Sequence, residues 1–252
     1  MHLNHIIIAG AQKSGTTTLY RWLAAHPQVG TAIREKSPGS GKELRYFCGP
    51  NWGLGFDWYA SRFPEPELIG MDATPEYLCS LGAAPRIARV FPDAKLIVTL
   101  REPVQRAISQ FHHYQQVMPL SNEWDWRCPG RSLTANVRAE LNEPLRPWRG
   151  LLGRGLYSKQ LTHLMEHVPP EQILVLVLEE WMLRPAETYA ELLRFLELEP
   201  FTPAGFEVHH HRGSAETIAD PKTVAAMKAY FLEPNQSLFS LLGRDIPTWT
   251  RA

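Results

Sequence analysis

Cysteine is scarce in this chain. Cys48, Cys79 and Cys128 stand far apart in 252 residues. Three is an odd number, the spacing is not that of a zinc-ligand set, and the pattern points to a reducing compartment. Long apolar runs are missing too, so no stretch is expected to span a membrane. The chain opens Met1-His2-Leu3-Asn4 and enters an apolar run at once, which predicts no secretory signal. Neither sign of charge is in excess: Lys plus Arg and Asp plus Glu number 26 each. That balance argues against a nucleic-acid partner and leaves room for a local basic pocket. Repeats, low-complexity tracts and linkers are also absent. With 44% hydrophobic residues, the chain reads as one α/β domain with a well-buried core.

What is present begins at His5. The run His5-Ile6-Ile7-Ile8-Ala9 reads as a buried strand and leads into Gly10-Ala11-Gln12-Lys13-Ser14-Gly15-Thr16-Thr17. Leu19, Trp22 and Leu23 then recur at helical spacing. A strand, a small-residue turn and a helix start together aim backbone N–H groups and a helix dipole at an anion. The nucleotide triphosphate loop has the pattern G-x-x-x-x-G-K-[ST]. Here Thr16 stands where that lysine belongs, and the lysine lies inside the loop at Lys13. The strand Lys95–Leu100 ends in Arg101, where a magnesium-holding carboxylate would be expected. Two anionic groups with no metal between them fit this arrangement.

The combination resembles the sulfotransferases that use 3′-phosphoadenosine 5′-phosphosulfate (PAPS). The family's K-x-G-T-T loop looks like Lys13-Ser14-Gly15-Thr16-Thr17, and its arginine-then-serine block looks like Arg101 and Ser109. The heparan sulfate-type branch is similar further on. Its K-E-x-x-F-F segment resembles Lys42-Glu43-Leu44-Arg45-Tyr46-Phe47, its E-K-T-P-x-Y segment resembles Asp72-Ala73-Thr74-Pro75-Glu76-Tyr77, and its closing helix and tail resemble Ala229–Asp245. The resemblance implies a mostly parallel sheet flanked by helices in a single P-loop-like domain over 1–252. It implies PAPS as co-substrate without a metal, and a hydroxyl or amine acceptor on a glycan or small metabolite. By the same resemblance Lys13, Ser14, Gly15, Thr16 and Thr17 cradle the 5′-phosphosulfate, and Arg101 and Ser109 grip the 3′-phosphate. Tyr157 lies near that phosphate or in the core, and Arg212, Gly213 and Ser214 stand for the family's cofactor loop. Glu43 is implied as general base and Lys13 as the cation at the leaving group. Asp72 could orient Lys13 or the acceptor. The Golgi relatives carry a membrane anchor and a disulfide near the C-terminal loop. Lacking both, this chain is expected to be a cytoplasmic, bacterial, stand-alone form. Two rival readings stay open: a small-molecule or nucleoside kinase with a modified loop, and a non-catalytic nucleotide-binding protein of the same fold.

Four apolar runs predict buried parallel strands at Ile6–Ala9, Leu68–Met71, Leu96–Leu100 and Ile173–Leu178. Helical patterns fall at Thr17–Ala25, Ala84–Phe91, Pro103–Gln116, Leu156–His167, Pro185–Leu196 and Pro221–Phe231. This alternation predicts ligands at the strands' carboxyl ends. The Trp- and Arg-rich stretch 119–155 is either an acceptor-side wall or an irregular insertion packing its own tryptophans. The triple histidine His209-His210-His211 reads against a metal site, because adjacent histidines diverge on a regular backbone.

Overall fold

The computed structural model describes residues 5–33, 41–117, 132–143, 148–206 and 219–250. They divide into two compact units. One holds the described residues of Met1–Leu100 and His163–His210, the other those of Arg101–Thr162 and His211–Ala252.

The first unit is built on five strands: β1 (His5–Gly10), β2 (Val29–Thr31), β3 (Ile69–Asp72), β4 (Lys95–Leu100) and β5 (Ile173–Val177). Their order is β2-β3-β1-β4-β5, and every pairing is parallel. The four predicted strands are all present. β2 was not expected, since three residues at a sheet edge are too few to show a period. Parallel strands covered on both faces need apolar residues at successive positions, which explains Ile6, Ile7 and Ile8, all buried. One face packs Ile6, Ile8, Met71, Ile97 and Leu176 against Leu19, Trp22 and Leu23 of the Thr16–Ala24 helix and Leu192, Leu193 and Leu196 of the Pro185–Leu196 helix. β1 is central, so the loop at its carboxyl end, after Gly10, opens beside the ends of β3 and β4.

The second unit has its own core. Val104, Ala107 and Phe111 of the Pro103–Val117 helix meet Leu133 and Val137 of the Leu133–Asn142 helix, Leu151 and Leu152, and Met227 and Phe231 of the Pro221–Leu242 helix. Glu140 is buried there, and its carboxylate accepts from the amides of Leu151 at 2.6 Å and Leu152 at 2.7 Å. In the described part of the 119–155 stretch, the Leu133–Asn142 and Gly150–Gly153 helices give Leu133, Val137, Leu151 and Leu152 to this core, while Arg138, Leu141 and Arg149 are exposed. Trp124, Trp126, Arg127, Arg131 and Arg146 lie outside the described residues. The Pro221–Leu242 helix runs past the expected end at Phe231 and through Pro234. No helix among the described residues is long and apolar enough to cross a membrane.

Candidate active site

Two residues of the loop after β1 carry positive φ: Lys13 at 70° and Gly15 at 85°. Gly15 ends the loop as the cap of the Thr16–Ala24 helix, which receives no side-chain cap. A Cβ on Gly15 would run into the indole of Trp181 and stand 2.8 Å from Leu178, so the turn needs glycine twice over. Lys13 has no such dispensation, and a lysine held in the left-handed region is a strained conformation of the kind found at ligand clamps. Thr99 on β4 pins the loop from below. Its hydroxyl donates to the Ser14 carbonyl and accepts from Trp181 Nε1, both at 2.9 Å. The Ser14 amide, expected to face the ligand, instead donates to the Ala11 carbonyl at 3.2 Å. The Ser14 hydroxyl is fully buried with no hydrogen-bond partner among the described residues. A buried orphan hydroxyl beside an uncapped helix start is the cradle an oxyanion would complete.

Lys42 is the residue the sequence quoted without giving it work. Its side chain is 8% exposed, and Nζ donates to Oγ1 of Thr16 and of Thr17, both at 3.2 Å. Lysine only donates, so each threonine oxygen spends a lone pair inward and keeps its O–H proton for a ligand. The same ammonium lies 3.6 Å from Glu43 Oε1. Burial lowers its pKa, opposed by Glu43, Glu76 and Asp72. Glu43 is half-buried and is also paired with Arg45 at 3.4 Å. The expected base is thus brought to the expected cradle through one shared ammonium.

The Glu43 segment is held in place by Asp72. This buried carboxylate accepts from Tyr77 Oη at 2.5 Å, Thr74 Oγ1 at 2.7 Å and the Leu44 amide. Tyr77 and Thr74 in turn accept from the amides of Tyr46 and Arg45, both at 3.1 Å, and Ala73 N–H donates to the Lys42 carbonyl at 3.1 Å. Asp72 therefore orients residues 42–46, where Lys13 or the acceptor was expected. Burial raises its pKa to about 6 against three stabilising hydrogen bonds.

In the second unit Arg101 is half-buried, and Ser109 lies half-buried on the Pro103–Val117 helix. Tyr157 is buried, and its hydroxyl donates to the Arg101 carbonyl at 2.9 Å, fixing the backbone that carries the guanidinium. Arg212, Gly213 and Ser214 lie outside the described residues, as do His209, His210 and His211.

A parallel sheet whose central strand opens into a glycine-bounded oxyanion cradle defines a protein that handles phosphate- or sulfate-like groups. Residues 3–230 match the sulfotransferase domain family, and the chain belongs to it. It is 29% identical over 270 residues to the bifunctional heparan sulfate N-deacetylase/N-sulfotransferase 1 of Caenorhabditis briggsae, a match covering 98% of this chain and 31% of that protein. It is 30% identical over 287 residues to the bifunctional heparan sulfate N-deacetylase/N-sulfotransferase 2 of Homo sapiens, covering 99% and 31%. The chain thus spans under a third of the length of these relatives. Among solved structures it is similar to a sulfotransferase from Alicyclobacillus acidocaldarius, with a TM-score of 0.72 and 25% identity over 98% of this chain and 99% of that one.

Proposed function

We propose that the protein transfers the sulfuryl group of PAPS to a hydroxyl or amine of a carbohydrate or small-metabolite acceptor. The observation that carries this reading is the Lys42 ammonium, which joins the cradle threonines to the Glu43 carboxylate. One end of that arrangement suits a departing phosphate and the other an attacking nucleophile. The acceptor atom attacks sulfur, the bond from sulfur to the bridging oxygen breaks, and Glu43 takes the acceptor's proton. Charge then develops on the departing 5′-phosphate, where Lys13, the Thr16 and Thr17 hydroxyls and the helix start stabilise it more than in the ground state. Arg101 and Ser109 recognise the 3′-phosphate, and Arg212, Gly213 and Ser214 contact the nucleotide. The product is adenosine 3′,5′-bisphosphate. The relatives named for N-sulfation make an amino sugar the first acceptor to try. A reducing cytoplasm as the place of action belongs to the same proposal.

Transfer of labelled sulfuryl from PAPS, with calorimetry of adenosine 3′,5′-bisphosphate, tests the reading. Micromolar binding and turnover are expected. Preference for ATP with magnesium would replace it by the kinase reading, and tight binding without turnover of any acceptor by the non-catalytic one. Lys13→Ala should lower kcat by about 10²–10³-fold, as loss of one preorganised donor does. Glu43→Gln should lower it by about 10²–10⁴-fold with binding of the spent nucleotide retained. Full activity in either variant would remove that residue's role.

A further inference from the structure

His163 lies in the last turn of the Tyr157–Met165 helix, and helical hydrogen bonding continues past its end, from Val168 N–H to the Leu164 carbonyl at 2.9 Å. That turn gathers His163, Glu166 and His167 on one side, with one ligand atom of each within 4.8 Å of the others. His163 is half-buried, while Glu166 and His167 are exposed. None of the three has a part in the transfer reaction proposed above. The His163 ring is held at both nitrogens: Nε2 lies 3.0 Å from the Leu81 carbonyl, and Nδ1 lies 3.3 Å from the Glu166 carboxylate. A carbonyl and an ionised carboxylate both only accept. A neutral imidazole has one N–H and can satisfy one of them. If Nε2–H donates to Leu81, the Nδ1 lone pair faces the carboxylate, and a cation between them satisfies both. A proton is one solution and a metal ion is another.

Three features favour the metal. A ligating histidine characteristically donates its other N–H to a backbone carbonyl or carboxylate, which fixes the tautomer and the ring, and the Leu81 carbonyl is placed for that. Bonds of about 2.0–2.1 Å to tetrahedral zinc put neighbouring ligand atoms about 3.4 Å apart. His163 Nδ1 and Glu166 Oε2 already stand at 3.3 Å. The second imidazole, His167, lies edge-on to the first with ring centres 5.0 Å apart, and its exposure lets it rotate into place. We propose that His163 Nδ1, the Glu166 carboxylate and His167 bind one divalent transition-metal ion of the zinc type, with water completing the shell, and so fasten the turn at Leu81 to the end of this helix.

The test is titration of the untagged full chain with Zn²⁺ by calorimetry and with Co²⁺ by visible absorption. It is run in an H209A/H210A/H211A background so that the triple histidine cannot compete. Expected is one ion per chain, a rise in Tm with Zn²⁺, and a Co²⁺ band of tetrahedral intensity. His167→Ala, at an exposed position that does not threaten folding, and His163→Gln should each weaken binding by about tenfold or more, at least the loss seen when a metal ligand's outer-shell support is removed. Undiminished affinity in both variants, disappearance of binding in the triple-alanine background itself, or no heat up to millimolar Zn²⁺ would overturn the site.

Discussion

Lys42 decides more at this site than its place in the sequence suggests. A Lys-Glu pair read along the chain is a solvated surface pair in most proteins. Here the aromatic residues that follow, Tyr46 and Phe47, are buried against Tyr59 with ring centres 4.7 and 5.3 Å away, and they draw the segment inward. The ammonium then has the hydroxyls of Thr16 and Thr17 and the carboxylate of Glu43 for company. Lys42→Met should lower kcat by about 10²-fold, the cost of losing one preorganised donor, through threonine hydroxyls no longer held toward the ligand and a base freed to turn away. Folding should survive, because Glu43 is half-open to solvent and keeps Arg45 at 3.4 Å. Lys42→Arg should recover part of the rate. Steady-state kinetics with nucleotide affinity measured in parallel check this. An unchanged kcat with weakened nucleotide binding would make Lys42 a donor-site residue only. Lys13 and Glu43 could be proposed from the sequence because motif position singles them out. Lys42's role could not, since it depends on burial by residues distant in the chain.

At the scale of the element, the turn from β1 into the Thr16–Ala24 helix is specified by shape as much as by charge. Gly15→Ala combines a φ of 85° with collision against Trp181 and Leu178. It should cost about 2–4 kcal/mol, strain and overpacking together. Gly53→Ala is the control. Nothing lies within 4 Å of its Cβ position, so stability should hold or rise by about 0.4–1 kcal/mol. Denaturant midpoints of the two variants check the pair, and equal losses would remove the packing argument. The strand and helix of this unit were legible because β1 is a pure apolar run and Leu19, Trp22 and Leu23 repeat at helical spacing. The Leu133–Asn142 helix was not, because its buried face includes Asn136 and Glu140. Glu140 is inside only because two amides of a later turn come to meet it, a pairing that a reading along the chain cannot contain. β2 was missed for a different reason: its pairing with β3 places it, not any pattern within Val29–Thr31.

For the whole molecule, the parallel sheet buries a titratable group at each of two strand ends, and the two respond to acid in opposite senses. His5 opens β1, stacked on Phe91 at 4.2 Å with its Nε2 2.8 Å from Tyr59 Oη. Burial pulls its pKa from 6.5 down to about 3. It stays neutral in the fold while the unfolded chain takes up a proton, so its contribution to stability is in place above pH 6.5 and is lost as pH falls toward 3. Asp72 closes β3, and burial lifts its pKa from 3.8 to about 6. Its contribution is in place below pH 3.8 and is lost as pH rises through 6. Between about pH 6 and 4 the fold binds the Asp72 proton and the unfolded chain binds the His5 proton, and each slope is about 1.4 kcal/mol per pH unit with opposite sign. Together they flatten the stability curve across that window, and below pH 4 only the His5 loss continues. Single substitutions separate them. In Asp72→Asn, stability should fall with acid between pH 6 and 4 more steeply than in the parent chain. In His5→Phe it should fall less steeply, or rise, over the same interval. Urea unfolding at pH 7, 6, 5 and 4 reads both slopes directly. Parallel curves for the two variants and the parent would mean that neither group is buried in the charge state the fold imposes.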